Sequence, residues 1–257
     1  FSNQAIERGA SLVITDPKGY KFALDKDLKP TIPFLLVRNL ESTFDYLCQR
    51  FYSDKPKFVM GVTGTNGKTS VVNFSQQLIE KKNNSCVTIG TLGVGGVLSL
   101  RTDNTTPDQS FIARILQMAK CKGSDYALLE VSSHSIAQKR IKNLAFNVFC
   151  FTNLSQDHLD YHKDMETYFH AKLSILDMLR LDTSIIVNID DEYGKIFLAK
   201  AKDKGFKIET IGFSDTADIK LRVTQVTPEI QFIEIVRGKF FYAFQTHLIG
   251  AFQAINI

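Results

Sequence analysis

The sequence predicts an α/β protein built on a mainly parallel sheet with flanking helices, and three observations predict it. Apolar runs of about five residues, rich in Val, Ile and Phe, alternate with longer amphipathic stretches, the pattern of successive β-α units. A glycine-rich loop ending in Lys68-Thr69 stands between one such run and the helix-like stretch that follows it. From Ile219 to Phe244 the texture changes to closely spaced β-like segments with an Arg237-Gly238 turn signal, as expected of antiparallel hairpins at one small edge.

In chain order, strands are expected at 12–15, 34–37, 58–62, 86–89, 126–131, 148–152, 185–188 and 207–211, where β-branched and aromatic residues cluster. Helices are expected at 42–51, 70–81, 109–120, 165–179 and 191–202, where apolar residues recur at helical spacing. The polar link Ser53-Asp54-Lys55-Pro56-Lys57 marks a domain boundary. The expected organisation is a partial α/β N-terminal domain over residues 1–55 and a phosphate-loop central domain over residues 56–257. The chain opens at Phe1 without a Met, directly in the helix-like stretch Gln4 to Arg8, and stops as Ala251 to Ile257 begins another apolar pattern. Both ends read as cut.

Composition narrows the function classes. With 257 residues, 44% hydrophobic and 23% charged, the chain can bury a sizeable core and is not disordered. Its 31 basic and 27 acidic residues are interleaved, so no nucleic-acid arm or membrane-binding patch stands out, while the mild basic excess suits an anionic ligand. The four cysteines, Cys48, Cys86, Cys121 and Cys150, lack C-x-x-C spacing and read as reduced, mostly packed thiols of a cytoplasmic protein. No apolar run reaches the roughly 18 to 20 residues of a membrane-spanning helix.

The strongest local signal is Gly61-Val62-Thr63-Gly64-Thr65-Asn66-Gly67-Lys68-Thr69, followed by Ser70. Glycines let the backbone turn its N–H groups toward phosphate oxygens, a helix N-terminus adds its positive end, Lys68 supplies a cation, and Thr69 can place a hydroxyl on Mg²⁺. ATP or GTP is the natural ligand. The glycines are displaced from the general expression, with Val62 where the first glycine would stand, and a glycine-rich turn with a solvated lysine is the bland alternative.

Two further strands end in ionisable clusters. Tyr126 to Val131 carries Glu130 at its end, where open α/β sheets place ligands, and a hard carboxylate oxygen suits Mg²⁺. Val148 to Thr152 runs into Asn153-Leu154-Ser155-Gln156-Asp157-His158-Leu159-Asp160-Tyr161-His162. There His158 reads either as a group near a metal or as a capping or core-satisfying histidine, and His134 and His162 are equally open.

With these residues in view, the sequence resembles the Mur ligase family, and within it the UDP-N-acetylmuramoyl-tripeptide synthetase branch. Besides Gly61 to Ser70, the resemblance rests on Asn104-Thr105-Thr106-Pro107, on Glu130 to His134 with Gln138 and Arg140, and on Thr152 to His162. It implies a monomeric cytoplasmic enzyme of peptidoglycan synthesis and cell-wall biogenesis, on which cell shape and division depend. Such an enzyme uses ATP and Mg²⁺ to add lysine or meso-diaminopimelate to UDP-N-acetylmuramoyl-L-alanyl-D-glutamate through an acyl phosphate. It implies that Gly64, Thr65, Asn66, Gly67, Lys68, Thr69 and Ser70 hold the nucleotide. Thr69, Glu130 and His158 would serve the metals, while Asn104, Thr105, Thr106, Ser132, Gln138 and Arg140 hold the UDP substrate.

Two assignments rest on the resemblance alone. Lys172 stands where the family carries a carbamylated lysine, a modification that makes a cation into an oxygen-bearing anion able to ligate Mg²⁺; from the residues themselves it reads as a solvated helix lysine. Near the end, His247 to Asn256 resembles the segment in which asparagines approach the nucleotide; Gln253 replaces the first, and Asn256 is left as the contact or as a simple helix cap. The resemblance implies that the family's C-terminal, amino-acid-binding domain is absent and that this fragment is inactive alone. The rivals are a folylpolyglutamate-synthetase-like ligase, against which Asn104 to Pro107 and Ser132 to Arg140 argue, and a non-catalytic nucleotide-binding fragment.

Overall fold

A computed structural model describes residues 2–25, 32–157 and 163–257. The chain divides into two compact units, Phe1–Ser53 and Asp54–Ile257. In the first, β1 (Val13–Thr15) pairs in parallel with β2 (Phe34–Leu36), accompanied by α1 (Ser2–Glu7), α2 (Pro17–Asp25) and α3 (Leu40–Phe51). Pro17 opens α2, where a missing N–H costs nothing. Asn39 caps α3 by accepting from Ser42 N at 2.9 Å.

The second unit is a ten-stranded sheet in the order β12-β11-β10-β9-β8-β7-β3-β6-β4-β5. Its strands are β3 (Phe58–Thr63), β4 (Cys86–Gly90), β5 (Gly93–Gly96), β6 (Tyr126–Glu130), β7 (Val148–Phe151), β8 (Ser184–Asn188), β9 (Lys207–Gly212), β10 (Ile219–Val226), β11 (Gln231–Arg237) and β12 (Phe240–Thr246). From β4 across to β10 every pairing is parallel. The β10-β11-β12 meander forms the antiparallel edge expected from the sequence, turning at Gly238, whose φ is +57°. A second antiparallel edge, β4-β5, was not expected.

The helices are α4 (Lys68–Lys81), α5 (Gln109–Cys121), α6 (Ser133–Ala137), α7 (Met165–Leu173), α8 (Glu192–Asp203) and α9 (Ala251–Asn256). The single helix expected over 165–179 stops at Leu173 and tightens into a 3-10 turn at Ser174–Asp177. The central strands are apolar on both faces because helices cover both. Ala127, Leu129, Phe149, Phe151, Ile185 and Val187 point into a large core with Ile112 and Ile115 of α5 and Phe197 of α8. Their alternates Leu128 and Cys150 join Met60, Val62 and Val72 beneath α4. Each large side chain so buried contributes about 1.5–3 kcal/mol. Cys48, Cys86 and Cys150 are buried and Cys121 is exposed, all four as free thiols. Burial pushes the Cys86 thiol up to about 11 and the Cys150 thiol up to about 12, which keeps both unreactive.

Chain order and strand order together position the site. From β3 the chain passes through α4 to β4 and β5, then returns through α5 to β6 on one flank of β3, and next lays β7 on the other flank. The carboxyl ends of β3, β6 and β7 therefore meet where the winding changes direction, the crevice in which open α/β sheets bind ligands.

Candidate active site

The loop Gly64–Gly67 joins the end of β3 to the first residue of α4, so the unpaired N–H groups of a 14-residue helix face the crevice. Gly64 (φ +150°) and Gly67 (φ +89°) adopt backbone that a side chain would strain, and neither has room for one. A Cβ on Gly64 would come 1.9 Å from Thr152 Oγ1, and one on Gly67 would come 2.4 Å from Asn256 Oδ1. Gly61 serves differently from its expected part in the phosphate turn. It lies inside β3, and a Cβ there would press to 2.7 Å on the rings of Phe146 and Phe149. Lys68 folds over the loop, its Nζ donating to Gly64 O at 2.9 Å and to Thr65 O at 2.8 Å. Burial lowers its pKa, against the opposing pull of Glu130 and Asp157.

The segment after β7 straps this loop in place. Thr152 Oγ1 donates to Asn66 O at 2.6 Å, and Asn153 both accepts from Asn66 N through Oδ1 at 3.0 Å and takes Thr65 N on its carbonyl at 3.0 Å. Thr65 Oγ1 accepts from Ser155 N at 3.0 Å and lies 3.2 Å from the Tyr168 hydroxyl on α7. Asp191, the N-cap of α8, holds the strap from behind by accepting from Leu154 N at 2.5 Å.

Glu130 ends β6 with 2% of its surface exposed. Thr69 Oγ1 donates to its Oε2 at 3.0 Å, Thr91 N to Oε1 at 3.0 Å, and Thr91 Oγ1 to Oε2 at 3.0 Å. These donors are neutral. The buried carboxylate of Glu130 and the Thr69 hydroxyl beside it are hard oxygen donors, a donor set that would suit Mg²⁺. Among the described residues no group of three or more His, Cys, Asp or Glu converges. His158 and His162 lie outside the described residues, and His134 lies in α6.

Lys172 overturns its reading as a solvated helix lysine. It is 1% exposed, donates to Gly64 O at 3.0 Å, and lies 4.8 Å from the centre of the Tyr168 ring. Burial drives its pKa well below the ordinary lysine value, the charge of Lys68 lowers it further, and Asp157 opposes both. The amino groups of two lysines thus converge on one carbonyl oxygen of the phosphate loop.

On the other side of Glu130 lies a second polar cluster. Thr106, 1% exposed, donates to Glu130 O at 2.8 Å and accepts from Ser132 N at 3.0 Å. Arg140 donates from Nη1 to Thr106 O at 2.6 Å and from Nε and Nη2 to Gln138 Oε1 at 2.9 and 2.6 Å. Asn104 lies exposed in the same loop, and Thr105 Oγ1 sits 3.2 Å from Thr91 Oγ1. Ser70 occupies the first turn of α4, and buried Asn256 ends α9 beside Gly67. Gln253, one turn earlier, has a buried Oε1 without a partner. Thr91, Tyr168 and Asp191 were missed as site residues; Thr91 had one sequence signal, its place just past the apolar run 86–89.

A helix N-terminus with its lysine and threonine, and a buried carboxylate against the threonine, define a nucleotide-binding α/β domain of the phosphate-loop class. A family model described as the Mur ligase middle domain matches residues 62–257, and the chain belongs to the Mur ligase family. It is 36% identical over 264 residues to the UDP-N-acetylmuramoyl-L-alanyl-D-glutamate–2,6-diaminopimelate ligase of Rickettsia bellii, covering 100% of this chain and 53% of that protein. The chain thus spans about half the length of such curated relatives. A solved structure of a ligase of the same name superposes with a TM-score of 0.77 at 25% identity, over 95% of this chain and 54% of that one. The apo form of L. casei FPGS shares the fold, with a TM-score of 0.66 at 13% identity over 86% of this chain and 61% of that one.

Proposed function

We propose that this chain is the nucleotide- and substrate-binding part of an ATP-dependent amide ligase that adds 2,6-diaminopimelate to UDP-N-acetylmuramoyl-L-alanyl-D-glutamate in peptidoglycan synthesis. The observation that carries the reading is Glu130, whose side chain bonds Thr69 of the phosphate loop while its backbone carbonyl bonds Thr106 of the second polar cluster. One residue thereby spans nucleotide and acyl substrate. The choice of diaminopimelate over lysine comes from the names of the relatives. The whole enzyme is expected to act as a cytoplasmic monomer; among the described residues no helix is long and apolar enough to cross a membrane.

In this reading Gly64 to Ser70 and the N-terminus of α4 cradle the ATP phosphates, and Asn256 borders the loop at Gly67. Thr69 and Glu130 would hold Mg²⁺, which when bound would offset negative charge on the transferred phosphoryl group. Lys68, released from its own loop carbonyls, bonds the phosphates as a substrate carboxylate oxygen takes the γ-phosphoryl group of ATP and ADP leaves; the incoming amine then attacks the acyl carbon of that acyl phosphate, losing a proton as the amide forms and phosphate departs. Lys172 is suited to carbamylation because burial favours the neutral, nucleophilic amine, and the product would be an anion beside Lys68. Thr105, Thr106, Ser132, Gln138 and Asn104 orient the muramoyl peptide, and Arg140, preset by Gln138, pairs with its anionic groups.

Calorimetric titration of the chain with UDP-N-acetylmuramoyl-L-alanyl-D-glutamate tests this. Saturable binding is expected, weakened at least about tenfold by Arg140→Ala, as for loss of a charge-assisted hydrogen bond. Binding of a folate acceptor in its place, or indifference to Arg140→Ala, would refute the substrate assignment.

A further inference from the structure

Thr91 lies just beyond β4, outside every motif that marks the site, yet it holds both oxygens of the Glu130 carboxylate. Its N–H donates to Oε1 and its hydroxyl to Oε2, each at 3.0 Å. That two-point grip fixes a carboxylate rotation that is otherwise soft, since the last torsion of a glutamate has broad wells. A hydroxyl has one proton to donate. Having given it to Glu130, Thr91 Oγ1 accepts from Thr105 Oγ1, 3.2 Å away. A directed chain follows: Thr105 to Thr91 to Glu130, met from the other side by Thr69 at 3.0 Å. Gly90 makes the approach possible, because a Cβ there would come 2.2 Å from Glu130 Oε1. Thr91 is itself exposed, so losing its hydroxyl opens no hole in the core.

We propose that Thr91 is a positioning residue: it orients Glu130 for the metal of the nucleotide site and, through Thr105, ties that orientation to the loop that holds the acyl substrate. The inference rests on reading Glu130 as a metal ligand. It has a physical rationale in a ligase, where the phosphoryl donor and the carboxylate acceptor must be aligned together. A hydroxyl that touches the metal ligand on one side and the substrate loop on the other supplies such a link without adding charge.

The test is Mn²⁺ binding to the chain in the presence of a non-hydrolysable ATP analogue, read by electron paramagnetic resonance, with the thermal midpoint measured alongside. Thr91→Val keeps the shape and the backbone N–H but removes the hydroxyl; it is expected to weaken Mn²⁺ binding about tenfold with the midpoint unchanged. Thr91→Ser restores the hydroxyl and should bind within about twofold of wild type, and adding Thr105→Val to Thr91→Val should cost nothing further. If Thr91→Val binds Mn²⁺ normally while Glu130→Gln does not, or if the Val and Ser variants lose equally, the positioning role is refuted and the metal site stands. If Glu130→Gln binds as wild type, the metal assignment fails and this inference fails with it.

Discussion

At the scale of single residues, Lys172 departs most from what its residue type leads one to expect. A lysine amine buried beside another lysine favours its neutral form, so its folded pKa lies well below the ordinary value. Between that depressed pKa and the ordinary one near 10.5 the unfolded chain binds more protons than the folded chain. Stability therefore rises with pH through the window and is lost as pH falls toward the folded pKa. In nucleotide-free, CO₂-depleted buffer, urea titrations across the alkaline range should show a positive slope that Lys172→Met reduces by up to about 1.4 kcal/mol per pH unit, the contribution of one proton. Equal slopes in both proteins would contradict the buried amine. The signal for this burial was present in the sequence: Lys172 follows Tyr168 by four residues and Phe169 by three, on the helix face that both bury. The ordinary preference of a lysine for solvent masks that spacing. The lysine of the phosphate loop, by contrast, was legible because Lys68 is defined by its neighbours in sequence.

At the scale of elements, the site is held by connections between strand ends rather than by the strands themselves. Asp191 does two things at once, capping α8 through Tyr193 N at 2.7 Å and anchoring the strap through Leu154 N. Asp191→Ala should therefore cost about 1–3 kcal/mol of stability, from the lost cap and an unpaired amide, and should also weaken nucleotide binding, because the strap positions Thr65 and Asn66. Thermal unfolding and nucleotide titration of one variant check both halves; a loss of stability with unchanged nucleotide affinity would show that the strap is not coupled to the loop. The strands β3, β6, β7 and β8 were readable as apolar runs with turns at their ends. The edge strand β5 was not, since three of its four residues are glycine, which reads as loop. Nor was α6, whose five residues are too few to show a helical period.

At the scale of the whole molecule, the alternation of apolar and amphipathic segments was enough to predict a mainly parallel α/β sheet, because helices on both faces force the strands to be apolar throughout. The strand order was not predictable from that alternation. What places Glu130 against Thr69, 61 residues apart in sequence, is the insertion of β6 between β3 and β4. For the same reason the motif residues that meet at these strand ends could be named from the sequence, while Thr91 and Asp191, which join one motif to another, could not. Whether these strand ends form a working ATP and Mg²⁺ site is tested by calorimetric titration of the chain with a non-hydrolysable ATP analogue. Saturable, Mg²⁺-dependent binding is expected, weakened at least about tenfold by Lys68→Ala. Absence of binding to the wild-type chain, or binding indifferent to both Mg²⁺ and Lys68, would contradict it.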